Sequence, residues 1–277
     1  MSTHDIVDIW VNLVTKQSAA AFLGDRANAH IPGYLGGDGS GGIGTSALLD
    51  VMDEMGVATG ILCPGLGHGD DSSLELADAN AGRFLVALGA ANPETPTRNV
   101  RRIRELAQHP RTAMVRVMPL ATQVPINHPL HYPVYAACEE LGLPVSINAG
   151  VPGPRVRSRV QHPELLEDVL IDFPDLTVVV AHMGHPYEEL LMNFMRKWPN
   201  LYVSCTAYSP KYMDPNLVKF MNTSTYRGRV LWGSDEPWFP MRRSLAEARE
   251  LPLDVGAMAL FLGGTARKLF DRTQAAT

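Results

Sequence analysis

The chain has 277 residues, 45% of them hydrophobic and 19% charged, with a formal net charge of −5; this ordinary globular balance supplies a large core and excludes a disordered chain. The negative balance, relieved in the middle of the chain only by Arg155, Arg157 and Arg159, excludes a nucleic-acid partner. Cys63, Cys138 and Cys205 are too scattered for a disulfide or zinc framework, the opening MSTHDIVDIWVNLV lacks a basic leader, and no apolar run nears the roughly 20 residues of a membrane span, so the expectation is a cytoplasmic protein without membrane contact.

In chain order, short apolar runs alternate with helical patterns. The runs are Ile6 to Val14, Thr59 to Cys63, Phe84 to Ala91, Ala113 to Met118, Pro144 to Ala149, Thr177 to Ala181, Leu201 to Cys205 and Val230 to Gly233. Between them lie amphipathic segments such as Ser46 to Met55, Val100 to Gln108, Tyr132 to Leu141, Pro163 to Phe173 and Pro186 to Trp198, with a last helix from about Asp254 to Phe270 expected to pack outside and close the ring. A run such as Thr177-Val178-Val179-Val180-Ala181 has no polar alternation, as a parallel strand covered on both faces requires. Eight such units in one domain spanning residues 1–277 predict a single (β/α)8 TIM barrel, which typically needs about 250 residues.

Two stretches break the regularity. Thr15 to Gly44 is far longer than the roughly 2 to 6 residues usual for such a loop and predicts a lid over the barrel mouth. Its glycine-rich tail contains a formal GxGxxG at Gly39, Gly41 and Gly44, but a dinucleotide site needs that turn directly after a strand, so no nucleotide cofactor is expected. Val151 to Gln161 carries the three arginines and reads equally as a solvated loop or an anion-binding one.

In a parallel barrel the catalytic groups collect at the carboxyl ends of the strands. Those ends are Trp10 and Asn12, Cys63, Asn92, Arg116, Asn148, His182 with His185, Ser204 to Tyr208, and Asp235 with Glu236. His182 and Asp235 are the candidate catalytic pair, because a histidine and a partly dried carboxylate exchange protons near neutral pH. Trp10, Asn12, Arg116, Asn148, His185, Tyr208 and Trp238 are the candidate substrate-binding residues, with Arg116 suited to a substrate carboxylate. Cys205 is the weaker nucleophile candidate, since no adjacent base is evident for it.

The ordered set LPVSINAG, VVVAHMGHP, VLWGSDEP and FLGGTARKLF resembles the amidohydrolase superfamily over almost the whole chain, specifically the branch with aminocarboxymuconate semialdehyde decarboxylase and pyrone dicarboxylate lactonase. That branch characteristically has HxH ending strand one, a histidine ending strand five, AHxG on strand six and GSDxP on strand eight. Ala181-His182-Met183-Gly184 and Gly233-Ser234-Asp235-Glu236-Pro237 match, whereas Trp10-Val11-Asn12 stands where HxH belongs and Asn148 where the strand-five histidine belongs.

Trading those imidazoles for a tryptophan and two amides leaves too few ligands for a catalytic zinc site, which ordinarily needs three. Asp5 and Asp8 are the residual alternatives, with Asp8 expected lower in the barrel. No cofactor is therefore expected, a divalent metal at Asp235 being the minor alternative; the resemblance supplies a precedent in the lactonases, considered metal-independent. The expected function is a metal-independent hydrolase of a small organic acid, lactone or aromatic compound, with Asp235 as general base on water, His182 as proton partner or electrophile, and Asn12 and Asn148 as hydrogen-bond donors. A decarboxylase, lyase or hydratase on a similar substrate is the enzymatic alternative, and a non-catalytic metabolite-binding protein the other. The partner is a small-molecule substrate and the expected assembly a homodimer.

Overall fold

A computed structural model describes residues 6–35, 40–89 and 93–270. Eight parallel strands, β1 (Ile6–Val11), β2 (Val57–Leu62), β3 (Phe84–Gly89), β4 (Thr112–Val117), β5 (Val145–Asn148), β6 (Val178–Ala181), β7 (Leu201–Ser204) and β8 (Val230–Leu231), are hydrogen-bonded in sequence order. They form the predicted TIM barrel. The helices are α1 (Lys16–Gly24), α2 (Ile31–Leu35), α3 (Thr45–Met55), α4 (Asp70–Ala79), α5 (Pro96–Leu106), α6 (Pro119–Thr122), α7 (Tyr132–Glu140), α8 (Leu166–Asp172), α9 (Glu188–Lys197), α10 (Pro215–Met221), α11 (Met241–Arg249), α12 (Val255–Ala259) and α13 (Thr265–Phe270). Among the described residues no helix is long and apolar enough to cross a membrane.

The wholly apolar strands divide their residues between two cores. On β6, Val179 and Ala181 pack with Ile9, Ile61 and Leu231 in the barrel interior, while Val178 and Val180 pack with Leu170, Leu191 and Met195 of the surrounding helices. Successive side chains of a strand point to opposite faces, so a strand buried on both sides must be apolar throughout.

The ring closes between β8 and β1 without a full ladder. Ile9 N donates to Trp232 O (3.4 Å), Asp235 N to Trp10 O (2.9 Å) and Asn12 N to Glu236 O (2.9 Å). A side chain completes the seam: the Asp8 carboxylate, fully buried, accepts from Trp10 N (3.0 Å) and Ser234 N (2.9 Å) through one oxygen. A Cβ at Gly233, just beyond β8, would stand 2.5 Å from the Thr206 methyl, 3.1 Å from Ile9 and 3.2 Å from that oxygen, so the close approach of Thr206 above all leaves room there only for glycine.

Three expectations are corrected. The first strand stops at Val11 rather than Val14, because Val14 exchanges hydrogen bonds with Ile43 (Val14 N to Ile43 O 3.0 Å, Ile43 N to Val14 O 2.8 Å). The last helix is not continuous: Gly263 and Gly264 lie in a wider turn, Leu260–Gly264, separating α12 from α13, and Ala266 and Phe270 of α13 join the interior cluster instead of packing only outside. The long stretch after β1 contains α1, its amide ends capped by the Thr15 side chain on Ser18 N, and α2. Residues 36–39 of its glycine-rich tail lie outside the described residues, as do Asp5 and Asn92.

Candidate active site

Shortly after each of β6, β7 and β8 comes a non-glycine residue with left-handed backbone: His182 (φ 57°), Ala207 (φ 53°) and Asp235 (φ 82°). Such conformations are held only where the surroundings over-determine them, and they gather at functional sites. For Asp235 the determinant is its N–H bond to Trp10 O across the seam, which turns the side chain into the barrel mouth. There a cavity of about 350 Å³ is lined by residues from nearly every strand end, among them Trp10, Asn12, Arg116, Asn148, His182 and Asp235. The stretch after β1 covers it as expected, with Phe22, Ile31 and Tyr34 in its wall; Phe22 packs on Trp238 at 4.9 Å between ring centroids, and Ala27 O accepts from Arg155 N at 2.9 Å.

Asp235 is 9% exposed. Burial pushes its pKa from 3.8 up to about 7, against the opposing hydrogen bond from Asn12 and the charge of Arg116, and with help from Asp8. Asn12 Nδ2 donates to Asp235 Oδ1 (2.8 Å) and to Glu236 O (3.0 Å). The amide expected to face substrate is thus spent on the carboxylate, holding one oxygen and leaving the other to the cavity. Glu236 points away, accepting from Met241 N at 2.6 Å.

His182 is neutral. Burial lowers its pKa to about 4, opposed by the bond to Thr206 and assisted by Arg116. Its Nδ1 lies 2.9 Å from both the carbonyl and the hydroxyl oxygen of Thr206; the hydroxyl can accept as well as donate but the carbonyl only accepts, so a proton on Nδ1 satisfies both contacts and leaves Nε2 as an acceptor. The ring meets Trp10 edge-on at 5.0 Å. At neutral pH this histidine is uncharged and presents a hydrogen-bond acceptor to the cavity.

Arg116, at β4, is 5% exposed. Its Cζ lies 5.2 Å from the centre of the Trp10 ring, and Nη2 donates to Pro64 O. Nε is buried and unpartnered, and among the described ion pairs Arg116 has no carboxylate within 4.0 Å. Buried charges are ordinarily paired; the charge of Arg116 is felt by Asp235 and Asp70 without a direct ion pair among those described. His185 and Tyr208 pack at the rim with their rings tilted by 38° (4.6 Å between centroids), and His185 Nδ1 is bonded to Glu188 Oε1 at 2.7 Å. The thiols of Cys63 and Cys205 are pushed up to about 12 by burial, so neither serves as a nucleophile. Two residues stand outside the catalytic and binding candidates: Asp8, considered only as a residual metal ligand, whose pKa burial raises to about 7, and Gln161, fully buried in the cavity wall. Neither ends a strand. An acidic residue inside a run as apolar as Ile6 to Val11 was the available signal for Asp8.

The protein-family model for amidohydrolases matches residues 43–272, more than half of the chain. The chain belongs to the amidohydrolase family. The match places it in an enzyme superfamily and agrees with the resemblance read from the strand-end motifs. No protein of curated function matches the sequence. Among solved structures, an uncharacterised TIM-barrel protein from Bordetella bronchiseptica is 24% identical, with a TM-score of 0.80 over 98% of this chain and 99% of that one. The 5-carboxyvanillate decarboxylase of Sphingomonas paucimobilis is 16% identical, with a TM-score of 0.73 over 96% and 99%. A 5-carboxyvanillate decarboxylase from Novosphingobium aromaticivorans, complexed with manganese and 4-hydroxy-3-methoxy-5-nitrobenzoic acid, is 14% identical, with a TM-score of 0.72 over 96% of each chain. At these identities the likeness is one of fold.

A metal such as that manganese is a poor fit to this amidohydrolase's own side chains. Among the described residues no three of His, Cys, Asp and Glu are grouped to hold a cation. Trp10 fills the strand-one position with an indole and Asn12 turns an N–H donor towards Asp235, so His182 Nε2 and one oxygen of Asp235 fall short of the three ligands such a site needs. Arg116 brings a fixed positive charge to the same mouth.

Proposed function

We propose that this amidohydrolase-family enzyme acts on a small carboxylated compound, an aromatic or unsaturated acid, by proton transfer at Asp235 without a transition metal, and that the reaction is a decarboxylation or related lyase step. The observation that carries this reading is Asp235 itself: a carboxyl group dried to a pKa of about 7, fixed by Asn12 and aimed into a cavity that also holds an unpaired guanidinium. A group with pKa near the working pH is best placed to give and take protons.

In the decarboxylation, Arg116 and the apolar wall position the acid. The bond from carbon to carboxylate breaks, its electron pair stays on carbon, carbon dioxide leaves, and the proton of neutral Asp235 goes to that carbon. His182 Nε2, as a bare acceptor, orients a substrate hydroxyl or water. Hydrolysis, the first expectation from sequence, becomes the second reading: above pH 7 the ionised Asp235 can serve as base on water, but of the donors such chemistry needs at the developing oxyanion Asn12 is spent on Asp235, which leaves Arg116 and the Asn148 amide. The decarboxylase names of two structural neighbours also support the lyase. The presence of a cavity between Asp235 and His182 favours an enzyme over a non-catalytic binding protein.

The test is a panel of aromatic carboxylic acids and lactones assayed for product with enzyme treated with a chelator. Wild type is expected to turn over an acid, and Asp235→Asn to be slower by about two to four orders of magnitude with an unchanged fold. Turnover that appears only when manganese or zinc is returned would refute the metal-free reading, and lactone but not acid turnover would select hydrolysis.

A further inference from the structure

Gln161 closes the wall of the cavity beyond the end of β5 and is 1% exposed, as is Asn148. Its amide is held in one orientation: Nε2 donates to Gly150 O at 3.0 Å, an atom that can only accept, and Gly150 N returns a bond to Gln161 O at 2.8 Å. Gln161 Oε1 is consequently the acceptor end, and it is buried without a hydrogen-bond partner. Asn148 Oδ1, at the tip of β5 two residues before Gly150, is also buried and unpartnered. Folded proteins leave few buried polar atoms unpaired, so two acceptor oxygens in the wall of one cavity call for a common explanation. On the same cavity, at the end of the neighbouring strand β4, stands Arg116, which has no carboxylate within 4.0 Å among the described ion pairs. The wall is therefore polarised, with a site for negative charge at β4 and a site for hydrogen-bond donors beyond β5.

We propose that Gln161, with Asn148, determines specificity by accepting hydrogen bonds from an O–H or N–H group on the substrate while Arg116 holds its carboxylate. The inference rests on the reading of this cavity as the site for a carboxylated substrate and goes beyond it: the substrate is an acid bearing a hydroxyl or amino donor, and Gln161 discriminates against the analogue that lacks it. A site built to bond a donor rejects the analogue without one strongly, because its own buried acceptors are then left unpaired.

The experiment measures binding, independent of turnover. Calorimetric titration of the protein with benzoate, the three hydroxybenzoates, the three aminobenzoates and the three methoxybenzoates separates donor from mere bulk, and hydroxyl from amine. At least one hydroxy or amino isomer is expected to bind tenfold or more tightly than both benzoate and its methoxy counterpart, about 1.4 kcal/mol, and Gln161→Met is expected to reduce that ratio to about twofold or less. Isomers that all bind within about threefold of benzoate would overturn the proposal, as would a preference that survives Gln161→Met; in either case water serves the two oxygens. Should Gln161→Met fail to fold, the wild-type series decides alone. Arg116→Met tests the reading beneath: if benzoate binds that variant as well as wild type, the carboxylate anchor is wrong while the donor preference stands or falls by its own ratio. Failure of every probe to bind wild type would overturn both.

Discussion

Replacing Asp8 by asparagine removes a buried charge and keeps the shape that closes the barrel. Asparagine can still accept from Trp10 N and Ser234 N through its Oδ1, as Asp8 does at 3.0 and 2.9 Å. In the folded protein, burial outweighs these two bonds and raises the Asp8 pKa from 3.8 to about 7. The native state thus holds the proton more tightly than the unfolded chain, so the stability this group contributes is complete below about pH 3.8 and is lost as pH rises through about 7. Integrating between those two values from pH 5 to pH 8 gives a loss of about 2 to 3 kcal/mol for the aspartate. The substituted amide never ionises and loses nothing. Any fixed penalty of the substitution, such as an unpartnered amide where Asp8 Oδ2 is now buried alone, is the same at both pH values and cancels. Urea denaturation of wild type and Asp8→Asn at pH 5 and pH 8 should therefore show the variant gaining about 2 to 3 kcal/mol on wild type at the higher pH. A difference between the two proteins that does not change with pH, or that moves against the variant, would refute the argument.

Asn12→Leu removes the bond at 2.8 Å that favours the ionised form of Asp235, so the Asp235 carboxyl should titrate at higher pH than in wild type, read from its side-chain 13C shift; an unchanged or lower midpoint would contradict the geometry. His182, with a pKa of about 4, should hold its proton on Nδ1 from pH 5.5 to 8 in 15N spectra. A titration near pH 6.5 would show that the ring is not buried as described.

The barrel was legible because its strands are buried on both faces: runs such as Val178-Val179-Val180-Ala181 can be little else when eight of them alternate with helical patterns. The positions of His182, Asp235, Arg116 and Asn148 followed from the rule that strand ends face one mouth. Their roles did not, since these depend on contacts made across long sequence separations. Asn12 resembled a substrate donor until its partner 223 residues away was seen to be Asp235, and His182 resembled a proton carrier until Thr206 and burial fixed it as a neutral acceptor. The continuous last helix failed at Gly263-Gly264, whose effect on the backbone depends on packing against the barrel. The seam-closing role of Asp8 and the burial of Gln161 were not legible because one lies within a strand and the other in a turn, places that the strand-end rule does not search.

The claim on which the account turns is that Asp235, Asn12, Arg116 and Trp10 form a proton-transfer site that does not retain a transition metal. Elemental analysis of protein purified without chelator and dialysed against added manganese or zinc tests it directly. Well under 0.1 equivalent per chain, on the order expected when fewer than three ligands are grouped, is the predicted result in both wild type and Asp235→Asn. One equivalent retained by wild type and lost in Asp235→Asn would contradict it.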